Sequence, residues 1–167
     1  VTDSGDIATE SCVYGNVELF AWFVDKCGLS FVPEVAINVA AHKNHFEMAQ
    51  HLITERKVSP NTDTSEGTPL LHALTNKNVK MVRLLLANGA RLDTSISGGA
   101  AFACVIENYD MPSLLCLIKK LKENKLTLSD VKWQTINMVE LAAYHRFFSA
   151  IPVLVHEFEV MGILADL

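Results

Sequence analysis

Apolar residues along this chain recur at three- and four-residue spacing in short runs, and the runs come in pairs. The clearest pair lies in residues 67–93. Leu70, Ala73 and Leu74 make one apolar stripe, and Val79, Val82, Leu85 and Leu86 make a second. Thr68-Pro69 opens the first predicted helix. Threonine can cap the orphan amides there, and proline suits the first helical position because its missing N–H has no partner at that point. Lys77-Asn78 interrupts the pattern as a turn, and Asn88-Gly89 ends the second helix, with glycine free to take the left-handed conformation of a helix stop. The segment reads as helix, turn, helix.

The same frame recurs. A shift of 33 residues carries Ala40 onto Ala73, Met48 onto Met81 and Leu52 onto Leu85. The upstream copy has Val35, Ile37, Ala40 and Ala41 as its first apolar stripe. Asn44-His45 is its turn, and Met48, Ala49, Leu52 and Ile53 form its second stripe. Downstream, Ala101, Phe102, Val105 and Ile106 precede Asp110-Met111-Pro112, a capped helix start, and then Leu114, Leu117 and Ile118. Gly98-Gly99 falls on a loop tip in this register. A fifth copy needs an insertion across residues 119–133, because Val105 to Ala142 is 37 residues. Asn137-Met138-Val139-Glu140 is a capping-box sequence, Leu141 to Tyr144 follow as a first helix, and a second helix runs from Phe148 to Phe158 with Ser149 and Pro152 near its start. The first copy turns at Gly15-Asn16 and then shows Leu19, Phe20, Phe23 and Val24, with a loop to the next copy about four residues short. The units fall at about 1–30, 31–63, 64–96, 97–132 and 133–167, as one repeat domain. The start at Val1 and the strongly apolar residues 160–167 suggest a fragment of a longer protein, whose last helix is covered by further chain, by a partner or by folding back.

These residues resemble the ankyrin repeat. Gly67-Thr68-Pro69-Leu70, Ala73, Val82, Leu85-Leu86, Asn88-Gly89-Ala90 and Asp93 match its motif; Leu71, Leu74 and Lys77-Asn78 depart from it. The resemblance implies an all-α helical solenoid of about five helix–turn–helix repeats with short β-hairpin-like finger loops. It also implies a protein–protein interaction module that binds through a concave face and its fingers. The alternative is a substrate-docking or targeting region of a larger multidomain enzyme or secreted effector. Family contact positions carried onto this chain are Phe31, Glu34, His42 and Lys43; Ser65, Glu66, His72, Thr75 and Asn76; Ile96, Glu107 and Asn108; and Trp133, Gln134, Tyr144 and His145.

Composition agrees with a packed, non-catalytic module. Half of the residues are hydrophobic, which argues against disorder. A net charge of -5 argues against nucleic acid as a partner. Cys12, Cys27, Cys104 and Cys116 form no Cys-x-x-Cys pair, sit in or beside apolar runs, and read as reduced core thiols of an intracellular, most naturally cytoplasmic, protein. No run suits a membrane span, and no signal segment opens the chain. His42, His45 and His51 lie close in sequence, but turn and surface roles account for them without a metal. No nucleophile–base set and no Gly-rich phosphate loop appears, so neither catalytic residues nor a cofactor is expected. Lys119, Lys120, Lys122 and Lys125 form a basic cluster at a helix end, the natural place for cations, with an acidic peptide or lipid headgroup as the lesser reading.

Overall fold

The computed structural model describes residues 4–62, 67–92, 96–125 and 137–160. Ten helices lie in them: α1 (Ser4–Val13), α2 (Val17–Asp25), α3 (Pro33–His42), α4 (Phe46–Thr54), α5 (Pro69–Thr75), α6 (Val79–Ala87), α7 (Ile96–Glu107), α8 (Met111–Glu123), α9 (Met138–Tyr144) and α10 (Ile151–Val160). No strand element occurs among the described residues. The connection between α2 and α3 is a plain loop. Residues 119–123, expected to begin the insertion, instead continue α8 to Glu123, and residues 63–66, 93–95 and 126–136, where the other fingers and most of the insertion are expected, lie outside the described set.

The chain forms two compact units, Val1–Ala90 and Arg91–Leu167. In the first, α1 packs with α2, α3 with α4 and α5 with α6; α3 also contacts α1 and α5, while α4 contacts α2 and α6. In the second, α7 packs with α8, α9 with α10, and α7 with α9.

One backbone device makes every helix–turn–helix. Gly15, Asn44, Lys77, Tyr109 and Arg146 all have positive φ, between 52° and 67°. Each donates its N–H three residues back, to Cys12, Ala41, Leu74, Ile106 and Ala143 respectively. The next residue donates five residues back, to Ser11, Ala40, Ala73, Val105 and Ala142. These paired bonds satisfy the last carbonyls of the first helix and reverse the chain. Asn16, Asn78 and Asp110 then cap the second helix by accepting from Leu19, Met81 and Ser113 amides. The step from Tyr109 to Arg146 is 37 residues, the same as from Val105 to Ala142. Only the first of the five turns uses glycine at the left-handed position. Lys77→Gly is therefore expected to stabilise the chain by about 0.5–1 kcal/mol, seen as a small rise in melting temperature; a fall would show that the lysine side chain holds the turn.

Burial follows the predicted stripes with definite exceptions. In α5 and α6, Leu70, Ala73, Leu74, Val82, Leu85 and Leu86 are buried, and so is Met81; Val79, at the first position of α6, is only half-buried. Val35 is 41% exposed, whereas Ala36, Ile37, Ala40 and Ala41 are buried. One residue is a 100° rotation on a helix, and Val35 falls with Val39 and His42 on the opposite stripe. In α2 only Phe20 is buried; Leu19 is exposed and Phe23 and Val24 are half-buried. Gly98-Gly99 does not form a loop tip. Both residues lie inside α7, which starts at Ile96 and extends over two poor helix formers ahead of the buried Ala101, Phe102, Ala103, Val105 and Ile106. The last helix begins at Ile151 rather than Ser149, which puts Pro152 in its first turn, where proline is tolerated. Of the four cysteines only Cys12 is fully buried; Cys104 and Cys116 are half-buried, and Cys27 is exposed on the loop after α2.

Candidate functional site

In the Val1–Ala90 unit, the stripe of α3 that faces away from the core carries Val35, Val39 and His42, with Glu34 and Lys43 exposed at its two ends. The His72 ring of α5 packs edge-on to the His42 ring, with centroids 5.0 Å apart. His72 itself is buried, so His42 forms the surface of that pair. Thr75 is exposed and its hydroxyl donates to the Leu71 carbonyl at 2.9 Å. Asn76 Nδ2 donates to both the Ala41 and His42 carbonyls at 3.0 Å. It closes the end of the preceding first helix as well as facing solvent. Phe31 is half-buried, its ring edge-on to Phe20 at 5.1 Å. Of the sequence-derived contact positions in this unit, Glu34, His42, Lys43 and Thr75 are presented outward, whereas Phe31, His72 and Asn76 are largely committed to the fold.

The turns of this unit are joined from repeat to repeat. His45 Nε2 donates to the Val13 carbonyl at 2.9 Å, and Asn78 Nδ2 donates to Asn44 Oδ1 at 2.6 Å. Asn78 thereby links two turns while its own oxygen caps α6. These bonds fix the spacing of the exposed side chains above them.

In the Arg91–Leu167 unit the α7–α8 and α9–α10 turns carry exposed aromatic side chains. Tyr144 is 79% exposed, Phe148 66% and Tyr109 58%. Tyr109 OH donates to the His145 carbonyl at 2.7 Å, and its ring is edge-on to the buried Phe147 at 5.5 Å. The Tyr144 and His145 rings are 5.1 Å apart, and Glu107 Oε1 lies 3.8 Å from His145 Nε2. Tyr144, His145 and Glu107, chosen from sequence, are brought together here. Asn108 instead donates to the Cys104 carbonyl and sulfur within α7. Tyr109 and Phe148 were not singled out by the pattern. Tyr109 occupies the left-handed turn position that Lys77 holds elsewhere, and Phe148, read in sequence as the start of the last helix, lies in the turn before α10. Ser65, Glu66, Trp133 and Gln134 lie outside the described residues, as do residues 161–167; Ile96 opens α7.

The lysine cluster is partly answered from within. Lys119 and Lys120 lie 3.9 and 3.6 Å from the Glu123 carboxylate, and Lys122 lies 2.7 Å from the buried Glu157 of α10. Among the described residues, no group of three or more His, Cys, Asp or Glu is placed to hold a metal. Burial pushes the Cys12 thiol up to about 12, far from thiolate chemistry. No helix among the described residues is long and apolar enough to cross a membrane.

A polar network that the sequence does not signal joins α2 to the end of α4. Arg56 grips Asp25 with two bonds, Nη1 to Oδ1 at 2.7 Å and Nη2 to Oδ2 at 2.8 Å. Arg56 Nε donates to His51 Nε2 at 3.2 Å. The guanidinium also lies over the buried Phe20 ring, 5.7 Å from its centroid, and the His51 ring is edge-on to Phe20. Arg56's hydrogen bonds hold the Asp25 carboxyl below its ordinary range, and Asp25 in turn raises the Arg56 value. Burial first, and the neighbouring Arg56 charge second, lower the His51 value.

The family model described as ankyrin repeats (3 copies) matches residues 7–96. No curated protein matches the chain.

Proposed function

This chain belongs to the ankyrin-repeat family, and from that premise we propose that it is a protein-binding module whose partner docks on the exposed side chains of its first helices and turns. Ankyrin repeats in general are protein–protein interaction modules. The observation that carries the finer reading is the aromatic turn surface of Tyr109, Tyr144 and Phe148. Aromatic rings supply large contact area with few torsions to freeze, and they dominate binding energy where a partner can dehydrate them. Here Tyr109 is already held by its bond to the His145 carbonyl, so its ring needs little further ordering. In the Val1–Ala90 unit, Val35, His42, Lys43 and Thr75 offer a mixed apolar and polar face suited to orienting the same or another segment of a protein partner.

The test is affinity capture with the intact chain, identification of what is retained, and then measurement with the purified partner. Tyr144→Ala or Phe148→Ala is expected to weaken binding about tenfold or more. Because both side chains are exposed, stability should stay within about 0.5 kcal/mol. If either variant unfolds while binding per folded molecule is unchanged, the ring is structural and the surface is misassigned. A third, independent reading, Lys43→Glu, should alter the association rate and its salt dependence if the α3 face takes part.

A further inference from the structure

We propose that His51 is a proton-operated latch on the first repeat: neutral, it holds the Arg56 guanidinium against Asp25 and so ties α2 to α4; protonated, it expels that guanidinium. The argument starts from hydrogen-bond roles. Arginine has only donors, so the His51 Nε2 that meets Arg56 Nε at 3.2 Å is the unprotonated, accepting nitrogen. A proton from solvent can bind at Nε2 only by using the lone pair that accepts from Arg56. Two N–H groups and two positive charges then face each other, and the Arg56 Nε contact is lost.

The surroundings make that event matter. Arg56 is the residue that spans the two repeats, through its bidentate grip on Asp25 and its place over the Phe20 ring. Its guanidinium is held from three sides: by the Asp25 carboxylate, the Phe20 face and the His51 lone pair. Removing one side and adding a like charge weakens the other two. The charged groups acting on the His51 ring are Arg56, which disfavours its protonation, and Glu55 and Asp25, which favour it. The other helices packed on α4, namely α3 and α6, contribute none among the described residues. Burial of the ring adds to the effect of Arg56, and the net direction is downward from the ordinary value of 6.5.

The pH window follows from that direction. A histidine whose value is lowered on folding binds fewer protons folded than unfolded. Its contribution is complete above the unfolded value and is lost as pH falls below about 6.5 toward the lower folded value. Asp25 titrates well below this window, so it remains a carboxylate throughout.

The experiment uses the intact chain. Ring-proton NMR should show His51 titrating below 6.5, and Arg56→Gln should move its midpoint upward by removing the nearby cation. Between about pH 7.5 and about pH 5, amide protection in α2 relative to α5 should fall roughly tenfold in the native chain. In His51→Gln, whose side-chain oxygen accepts from Arg56 at any pH, it should stay level. A native midpoint at or above 6.5, a downward move in Arg56→Gln, or an equal loss of α2 protection in His51→Gln would each overturn the latch. Should His51→Gln fail to fold, the titrations of the native and Arg56→Gln chains decide the matter alone.

Discussion

Alanine at Phe102 is expected to cost the Arg91–Leu167 unit about 3–5 kcal/mol. Phe102 is among the largest fully buried side chains of the chain, and Val105, Ile106, Leu114, Leu117 and Ala142 in the same unit are buried with it. Truncating a buried ring removes its transfer free energy and leaves a cavity that neighbours on fixed helices fill only in part. Small domains are stable by only about 5–15 kcal/mol in total, and each repeat buries its apolar face only against its neighbours. The loss is therefore a large share of the stability such a unit can have. Amide exchange should show α7 to α10 losing protection together. Phe102→Leu, which keeps most of the volume, should cost less than half as much. A loss under about 1 kcal/mol in the alanine variant would mean that α7 is not packed as described.

Gly15→Ala is expected to destabilise the first repeat by about 2–3 kcal/mol through two separable effects. Gly15 has φ of +67°, a conformation that costs a residue with a Cβ about 1–2 kcal/mol. An added Cβ would also lie 2.6 Å from His45 Cγ and Nδ1. The imidazole would have to move, and it is the ring that ties this turn to the next by donating to the Val13 carbonyl. Gly28 supplies the control. Its φ is +68° but nothing lies within 4 Å of its would-be Cβ, so Gly28→Ala should show the backbone cost alone. Urea unfolding of both variants gives the difference. Equal losses at the two sites would mean that His45 yields freely and does not couple the first two turns.

Four of the five turns were legible in the sequence because each is a local event. A left-handed residue and a following cap are set by neighbours within six positions, and Gly15-Asn16, Asn44-His45, Lys77-Asn78 and Asp110 all stand where the pattern places them. The capping box at Asn137 and Glu140 is legible for the same reason, and both of its bonds are present. The outward presentation of the proposed contact residues was legible only in part. His42 and Tyr144 are exposed and His145 is half-buried, but Asn76 and Asn108 spend their amides on carbonyls of the fold. Residue type at a register position does not reveal whether a carbonyl waits within reach.

The sequence by itself determined the repeat: the turn positions and the core stripes of α5 to α8 follow from spacing and local chemistry, and its motif residues carry the family resemblance. Tertiary structure alone decided which face each helix shows at the margins of that pattern. Val35 is turned outward by a 100° step, α2 buries only Phe20, and α7 runs through Gly98 and Gly99 because the burial of Phe102 and its neighbours outweighs poor local propensity. It also decided the pairing of Asp25 with Arg56, 31 residues apart, and of Tyr109 with the His145 carbonyl, 36 residues apart. No local rule encodes such contacts. They arise when stacking brings two surfaces to within a hydrogen bond's length, and they set both the aromatic surface and the latch at His51.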